Sequence, residues 1–217
     1  MHRVIFLFFF FLVGFAEADS REPVYKPEAQ VLNFKVFLDD REVGWHTFTL
    51  TETDGDLLVT SNAKMDFRVL LFKKIRYRHE AREVWRDGCL QSIESATERN
   101  GEKTAISGSL SRGQFVVNQR DGETQLGDCV KSFAYWRPEW FQDNFLLNIE
   151  TGDYTEVELS HSAPADDSKE YRSISMPGAE IRLEYNEAGD WQSLASDIKI
   201  AGTLRYQRVI DPRQAAL

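Results

Sequence analysis

Between Leu57 and Arg86 the chain alternates almost without interruption. Eleven of the 15 odd positions are apolar (Leu57, Val59, Ala63, Met65, Phe67, Val69, Leu71, Ile75, Tyr77, Ala81 and Trp85), and nine of the 15 even positions are charged. A period of two puts successive side chains on opposite faces of an extended strand, whereas a helix repeats every 3.6 residues. Thirty residues at about 3.3 Å each are too many for one ordinary strand. The chain therefore bends or turns near Leu70-Leu71-Phe72, where both phases are apolar.

The same pattern recurs along the chain. Leu32, Phe34, Val36 and Leu38 alternate with polar residues, Asp39-Asp40-Arg41 makes a turn, and Val43 to Leu50 reads as the next strand. Turn dipeptides follow at Asp54-Gly55, Asp87-Gly88, Asn100-Gly101, Asp121-Gly122, Gly152-Asp153 and Gly189-Asp190. Asp-Gly and Asn-Gly accept the positive φ of tight hairpins. Between them lie short strand-like runs at Phe115-Val116-Val117, Thr155 to Leu159, Ile181 to Tyr185 and Thr203 to Val209. This spacing predicts an all-β fold: a curved antiparallel sheet or half-open β-barrel, since a long sheet curls or closes to protect its edges. One short helix is expected near 138–144. There Pro138 suits a first helical turn, and Trp136, Trp140 and Phe141 would share one side. The aromatic run Phe133 to Phe145 reads either as a plug or lid on the sheet or as plain core filling.

The first residues fit a secretory signal. A short Met-His-Arg start precedes an apolar run of 12 residues, Val4 to Phe15, and then a small-x-small site, Ala16-Glu17-Ala18. That run is too short to span a bilayer as a helix, which takes about 20 residues. The expected organisation is a signal peptide at 1–18, an extended lead-in at 19–29 with Pro23 and Pro27, and a single β domain at 30–217. No Cys stands near the junction, so the cleaved chain would carry no lipid anchor and no transmembrane anchor. Periplasmic or secreted localisation follows as an expectation. In such a compartment Cys89 and Cys129, the only two cysteines, are expected to form one disulfide rather than remain free thiols. The net charge of −9 argues against nucleic acid as a partner.

Motifs that would carry chemistry are scarce. His79-Glu80-Ala81-Arg82-Glu83 superficially resembles a zinc-protease helix, but the second His is missing. On a strand, positions 79 and 83 stand about 13 Å apart, too far to share a metal. There is no G-x-S-x-G elbow and no glycine-rich phosphate loop, and no cofactor or metal is expected. A two-residue loop at Asp87-Gly88 would set Trp85 against Leu90, Glu83 against Ser92, His79 against Ala96 and Tyr77 against Glu98. Tyr77, His79 and Glu83 would then lie on the mainly apolar face, where buried polar groups are costly unless paired. With His46 they would form either a polar spot in a cavity or a satisfied structural network. The opposite face carries Lys64, Arg68, Lys74, Arg76, Arg78, Arg82 and Arg86. This stripe reads as a phosphate- or headgroup-facing surface or as a solvated strand face paired with acidic neighbours.

Three strings carry a resemblance. They are Leu38-Asp39-Asp40-x-x-Val43-Gly44-x-His46-x-Phe48, Tyr77-x-His79-x-x-x-Glu83-x-Trp85-x-Asp87-Gly88-x-Leu90 and Thr97-x-x-Asn100-Gly101. With Tyr135-Trp136-x-Pro138 and Gly202-x-Leu204-x-Tyr206, the chain resembles an uncharacterised family of secreted bacterial β-proteins, a domain of unknown function. Its general look is similar to the periplasmic LolA and LolB lipoprotein carriers, which hold acyl chains in a curved sheet. The resemblance implies no activity. The expected function is non-catalytic binding of an apolar or amphipathic, lipid-like ligand by Tyr77, His79, Glu83, Trp85, Trp136, Trp140 and His46. The alternatives are an enzyme using the Tyr77, His79, Glu83 patch as acid–base groups, and an envelope assembly or interaction protein without a cavity. If export occurs as read, amino-terminal sequencing of the periplasmic fraction finds Asp19 first; Met1 retained in the membrane fraction would overturn it.

Overall fold

The structure, a computed structural model, describes residues 29–69, 73–162, 169–199 and 201–210. The expected signal peptide, the lead-in up to residue 28 and the Leu70-Leu71-Phe72 turn lie outside the described residues. The chain is β throughout. Strands β1 (Ala29–Leu38), β2 (Arg41–Thr53), β3 (Asp56–Val69), β4 (Lys73–Arg86), β5 (Cys89–Arg99), β6 (Glu102–Ser111), β7 (Gln114–Gln119) and β8 (Gly122–Leu126) succeed one another as neighbours. A segment at 127–157 follows, with a small ribbon of β9 (Phe145–Leu147) and β10 (Tyr154–Glu156). Then β11 (Glu158–Ser162), β12 (Lys169–Met176), β13 (Ala179–Asn186), β14 (Trp191–Ile198) and β15 (Gly202–Val209) continue the meander. β15 pairs antiparallel with β1, which joins the two runs into one 13-stranded sheet.

Local chemistry explains the hairpins. Asp54-Gly55 and Asp87-Gly88 both take positive φ at the two central positions. Each closes a two-residue loop, pairing Thr53 with Asp56 and Arg86 with Cys89. This backbone matches the right-handed twist of the flanking strands. Three register shifts add curvature: at Val36/Phe37 opposite β2, at Val84/Trp85 opposite β5 and at Glu184/Tyr185 opposite β14. Bulges sharpen local twist and bend the strand. The shift at Val84/Trp85 corrects the expected pairing by one residue. Trp85 does face Leu90, but beyond it Glu83 faces Ile93, His79 faces Thr97 and Tyr77 faces Arg99.

The alternation of β3 and β4 appears in burial as expected. Among the described side chains the odd positions from Leu57 to Trp85 are buried or half-buried, and the charged even positions are mostly exposed. The basic stripe lies on the outer face. Arg78 pairs with Asp66 and Arg86 with Asp56, while Arg82 stands opposite Glu94 on β5.

The two edges of the sheet, β8 and β11, are consecutive in the chain but for 127–157, and that segment runs through the interior. It buries Val130, Ala134, Trp136, Phe141, Leu146, Leu147 and Val157 in the main core with Phe34, Trp85 and Trp191. The expected helix near 138–144 is only one 3-10 turn, Pro138–Trp140. Phe141 leaves helical space at φ −80°, ψ 77°. Packing draws Trp140 onto Trp85, ring centroids 4.8 Å apart, and Arg172 caps the turn by donating to the Pro138 carbonyl.

Cys89 and Cys129 are joined, with Cα atoms 4.8 Å apart and a sequence separation of 40. The bridge ties the start of the interior segment to the β4–β5 hairpin. Beside it the Leu90 amide donates to the Val130 carbonyl at 3.0 Å. Replacing both cysteines by serine should lower stability by about 2–4 kcal/mol, because the open chain regains loop entropy. Urea titration measures this, and hydrogen exchange should show the lost protection concentrated in 127–157. An unchanged midpoint would mean that the remaining contacts hold the segment alone.

Candidate functional site

The concave face is not uniformly apolar. One cluster gathers Leu32, Phe34, Phe48, Leu50, Val59 and Trp85 with the interior segment, and a second holds Val36, Leu38, Val43, Ala63, Met65 and Tyr77. A band of polar side chains crosses the strands near their junction: Tyr206 on β15, His46 on β2, Ser61 on β3, His79 on β4 and Thr97 on β5. The alternating pattern of each strand turns these residues inward in place of an apolar one.

The band is hydrogen-bonded. His46 Nε2 lies 2.8 Å from Ser61 Oγ, and its Nδ1 lies 3.3 Å from the Tyr206 hydroxyl. His79 Nδ1 lies 2.8 Å from Thr97 Oγ1, its cross-strand neighbour. The Tyr77 hydroxyl donates to Glu150 Oε1 at 2.7 Å, which brings a carboxylate of the interior segment to the same wall.

These groups border a cavity of about 290 Å³. His46, Ser61, Tyr77, His79, Glu150 and Tyr206 form most of its polar side, and Asn148 and Ser196 are further polar residues of the lining. Phe48, Trp136, Met176, Ile181, Trp191 and Leu194 form most of its apolar side, with Tyr135 and Leu204 between. Met176, Ile181 and Leu204 are half-buried and mark the rim. His46 and Tyr206 keep some accessible surface, and it faces this space although protein encloses both.

Burial sets the protonation of the wall. It pushes the His46 imidazole down to about 3, with His79 adding a smaller push. Burial lowers His79 as well, against the opposing pull of Glu150 and Glu80. The phenols of Tyr77, Tyr135 and Tyr206 are all raised, chiefly by burial. At neutral pH the wall therefore offers neutral imidazoles and hydroxyls that donate and accept, and Glu150 is the one acidic side chain among its described residues.

The sequence-predicted residues divide. His46, Tyr77, His79 and Trp136 meet at the cavity. Glu83, Trp85 and Trp140 do not line it. Trp85 and Trp140 stack together beside a separate cleft by the Asp54-Gly55 and Asp87-Gly88 turns. Glu83 is fully buried and accepts a 2.7 Å hydrogen bond at Oε2 from Ser132 of the interior segment; its Oε1 has no partner. The Tyr77, His79, Glu83 patch thus does not converge on one point. Sequence reading missed Ser61, Glu150, Tyr135, Trp191 and Tyr206. Ser61 carried a signal, as a polar residue in the apolar phase of the 57–85 pattern. Glu150 lies in an irregular segment without periodicity and carried none. No group of three metal-binding side chains occurs among the described residues.

The Ser61–His46 contact has the spacing of a nucleophile and its base, but His46 is held neutral and backed by the neutral phenol of Tyr206. Nothing there stabilises an imidazolium, as a carboxylate does in a serine-hydrolase triad. The arrangement suits hydrogen bonding to a polar group. The carboxyl of Glu83 makes a testable case of the same burial. Burial raises it from 4.5 to about 7, against the Ser132 hydrogen bond and the neighbouring Trp85 indole. The folded state then holds the proton more tightly than the unfolded chain between these values. Its contribution to stability is greatest below about pH 4.5 and falls as pH rises to about 7, by roughly 3 kcal/mol. Glu83→Gln keeps an acceptor for Ser132 and removes the titration. Urea unfolding at pH 4.5 and pH 8 should show the variant gaining on wild type by about that amount at the higher pH. A pH-independent difference would refute the buried-acid reading.

Comparison with solved structures finds the same architecture. A crystal structure of a β-barrel-like protein of the domain of unknown function DUF1849, from Brucella abortus, superposes with a TM-score of 0.55 at 13% identity. The match covers 84% of this chain and 95% of that one, and it shows the fold alone. No curated protein matches the sequence. A family model described as a domain of unknown function, DUF6134, matches residues 34–209, and the chain belongs to that family.

Proposed function

We propose that this protein is a non-catalytic binding protein, exported to the periplasm or beyond, that takes an apolar or amphipathic, lipid-like molecule into the cavity on its concave face. The observation that carries this reading is the two-sided wall. Binding sites combine a mostly apolar lining with a few placed polar groups that orient the ligand. Here the apolar side would take a hydrocarbon or aromatic portion, and His46, Tyr77, His79 and Tyr206 would face its polar end. Because the interior segment occupies much of the concavity, the apolar portion that fits is compact or short. Each buried CH₂ would contribute about 0.8 kcal/mol, so even a short chain would add several kcal/mol to the gross binding energy.

Export is supported by the disulfide, which persists in oxidising compartments, and by the signal-like start of the sequence. Among the described residues no helix is long and apolar enough to cross a membrane.

Trp136 and Trp191 line the cavity and report on its occupancy. Titration with the neutral probe N-phenyl-1-naphthylamine should give saturable transfer from Trp emission with one-site stoichiometry. Ile181→Phe, which fills the half-buried rim, should weaken it about tenfold without lowering the urea midpoint by more than a small margin. If no probe binds, and no small molecule accompanies the natively isolated protein in mass spectrometry, binding is excluded and an envelope assembly or interaction role takes its place.

A further inference from the structure

The charge of the cavity wall points to the class of ligand; this step rests on the binding role proposed above. Among the described residues no Lys or Arg lines the cavity. Its two imidazoles are held neutral by burial, and Glu150 contributes a carboxylate. A carboxylate or phosphate headgroup entering this space would leave water, face Glu150 and find no counter-charge in the wall. Burying an unpaired charge in that way is strongly unfavourable.

Arg99 is the nearest cation to consider. Its guanidinium lies 5.6 Å from the centroid of the Tyr77 ring and 3.4 Å from Glu150 Oε2. It is not part of the wall, its side chain is 62% exposed, and the ion pair is long. A pair of that kind is screened by solvent and weak. The other carboxylate oxygen, Oε1, takes the neutral hydrogen bond from Tyr77. Glu150, with its side chain 36% exposed and both oxygens partnered, is the one charged side chain among the described residues that line the cavity.

The cavity is rich in aromatic residues: Tyr77 hydrogen-bonds that carboxylate, Tyr135 and Tyr206 lie within reach of its charge, and Trp136 and Trp191 line the same space. Trp and Tyr faces attract cations through their quadrupoles, most strongly when water is excluded. The burial that keeps both imidazoles neutral also penalises a strongly hydrated cation such as a metal ion. An alkylated ammonium, weakly hydrated and partly apolar, loses less on entry. We infer that the cavity selects a ligand bearing an alkylammonium head, seated among these rings beside Glu150, with a short apolar portion against Met176, Ile181 and Leu194.

A matched series tests this. Octyltrimethylammonium, 1-octanol and octanoate share a chain and differ in head charge. Each is titrated by calorimetry in 150 mM salt, which screens the overall charge of −9. The expected result is at least tenfold tighter binding of octyltrimethylammonium than of 1-octanol, and no measurable binding of octanoate. Glu150→Gln, which retains an acceptor for Tyr77, should erase most of the cation preference and leave 1-octanol within about twofold. Octanol or octanoate binding as tightly as the cation overturns the inference and leaves the binding role standing. No binding by any member, together with no binding of the naphthylamine probe, overturns both. Tetramethylammonium separates a free cation from an amphiphile: if it binds as tightly as its octyl homologue, the apolar portion is refuted and the cationic head retained. Should Glu150→Gln fail to fold by circular dichroism, the wild-type series decides alone.

Discussion

A backbone that crosses a sheet's interior must satisfy its own hydrogen bonds there, and the rest of this structure depends on how residues 127–157 do so. The edges β8 and β11 are consecutive in the chain apart from this segment, which packs inside the curved sheet. Buried carbonyls without partners would cost the fold heavily. Side chains of the sheet supply the partners. Tyr185 donates to the Tyr135 carbonyl at 2.9 Å, Gln119 to that of Gly152 at 2.6 Å, Ser95 to that of Ile149 and Arg172 to that of Pro138. Ser132 in turn donates to Glu83. These donors come from both halves of the sheet, so the segment is pinned on two sides, and the disulfide fixes the end where it leaves β8.

This requirement sorts the polar residues of the concave face. Ser95, Glu83 and Tyr185 serve the interior segment. His46, Ser61, His79 and Tyr206 do not contact it through a hydrogen bond; they bond to one another or to Thr97, and all four border the cavity. Tyr77 belongs to both groups, since it anchors Glu150 and lines the wall. The distinction follows from partners. A polar side chain that meets a buried carbonyl has a structural reason to be there, while one whose partners are other polar side chains beside open space has a reason outside the packed core.

Much of the sheet was legible because burial on one face imposes a period of two on any strand long enough to show it. The 57–86 alternation, the Asp-Gly and Asn-Gly turns and the disulfide all carried physical signals that tertiary contacts did not override. The misses have causes of a different kind. The hairpin at Arg112-Gly113 takes positive φ at an arginine, a residue with no turn preference of its own. The pairing of β5 slipped by one because a bulge at Gln91 leaves no mark in composition. The helix near 138–144 shrank to one turn because Trp140 and Arg172 fix its ends through contacts far away in sequence. For the site, His79 was visible as a polar residue in the apolar phase of its strand; Tyr77 lay in that phase as an apolar residue, and His46 entered only as a neighbour on another strand. Trp85 and Trp140 were drawn in by their type alone, and aromatic character does not separate a cavity wall from a stacked pair in the core. Glu150 reaches the wall through the path of the interior segment, which no local pattern encodes.

The polar band by itself would fit a structural network, since its imidazoles all have partners and such networks make a core specific. The adjoining space changes that balance. Protein interiors pack as densely as organic crystals. The space of about 290 Å³ opens at a half-buried rim, so its apolar wall forgoes packing contacts that a filled core would make. Water relieves the polar side, where His46, Ser61 and Tyr206 offer it partners, but an ordered water needs two to four of these, and beside Met176, Ile181 and Leu194 the described lining offers Ser196 alone. Shrinking the space is open to the sequence at small cost, because Ile181 and Leu204 are half-buried and larger side chains there have room. A wall that stays polar on one side and apolar on the other around an unfilled centre is what an amphipathic occupant stabilises and what packing alone would remove.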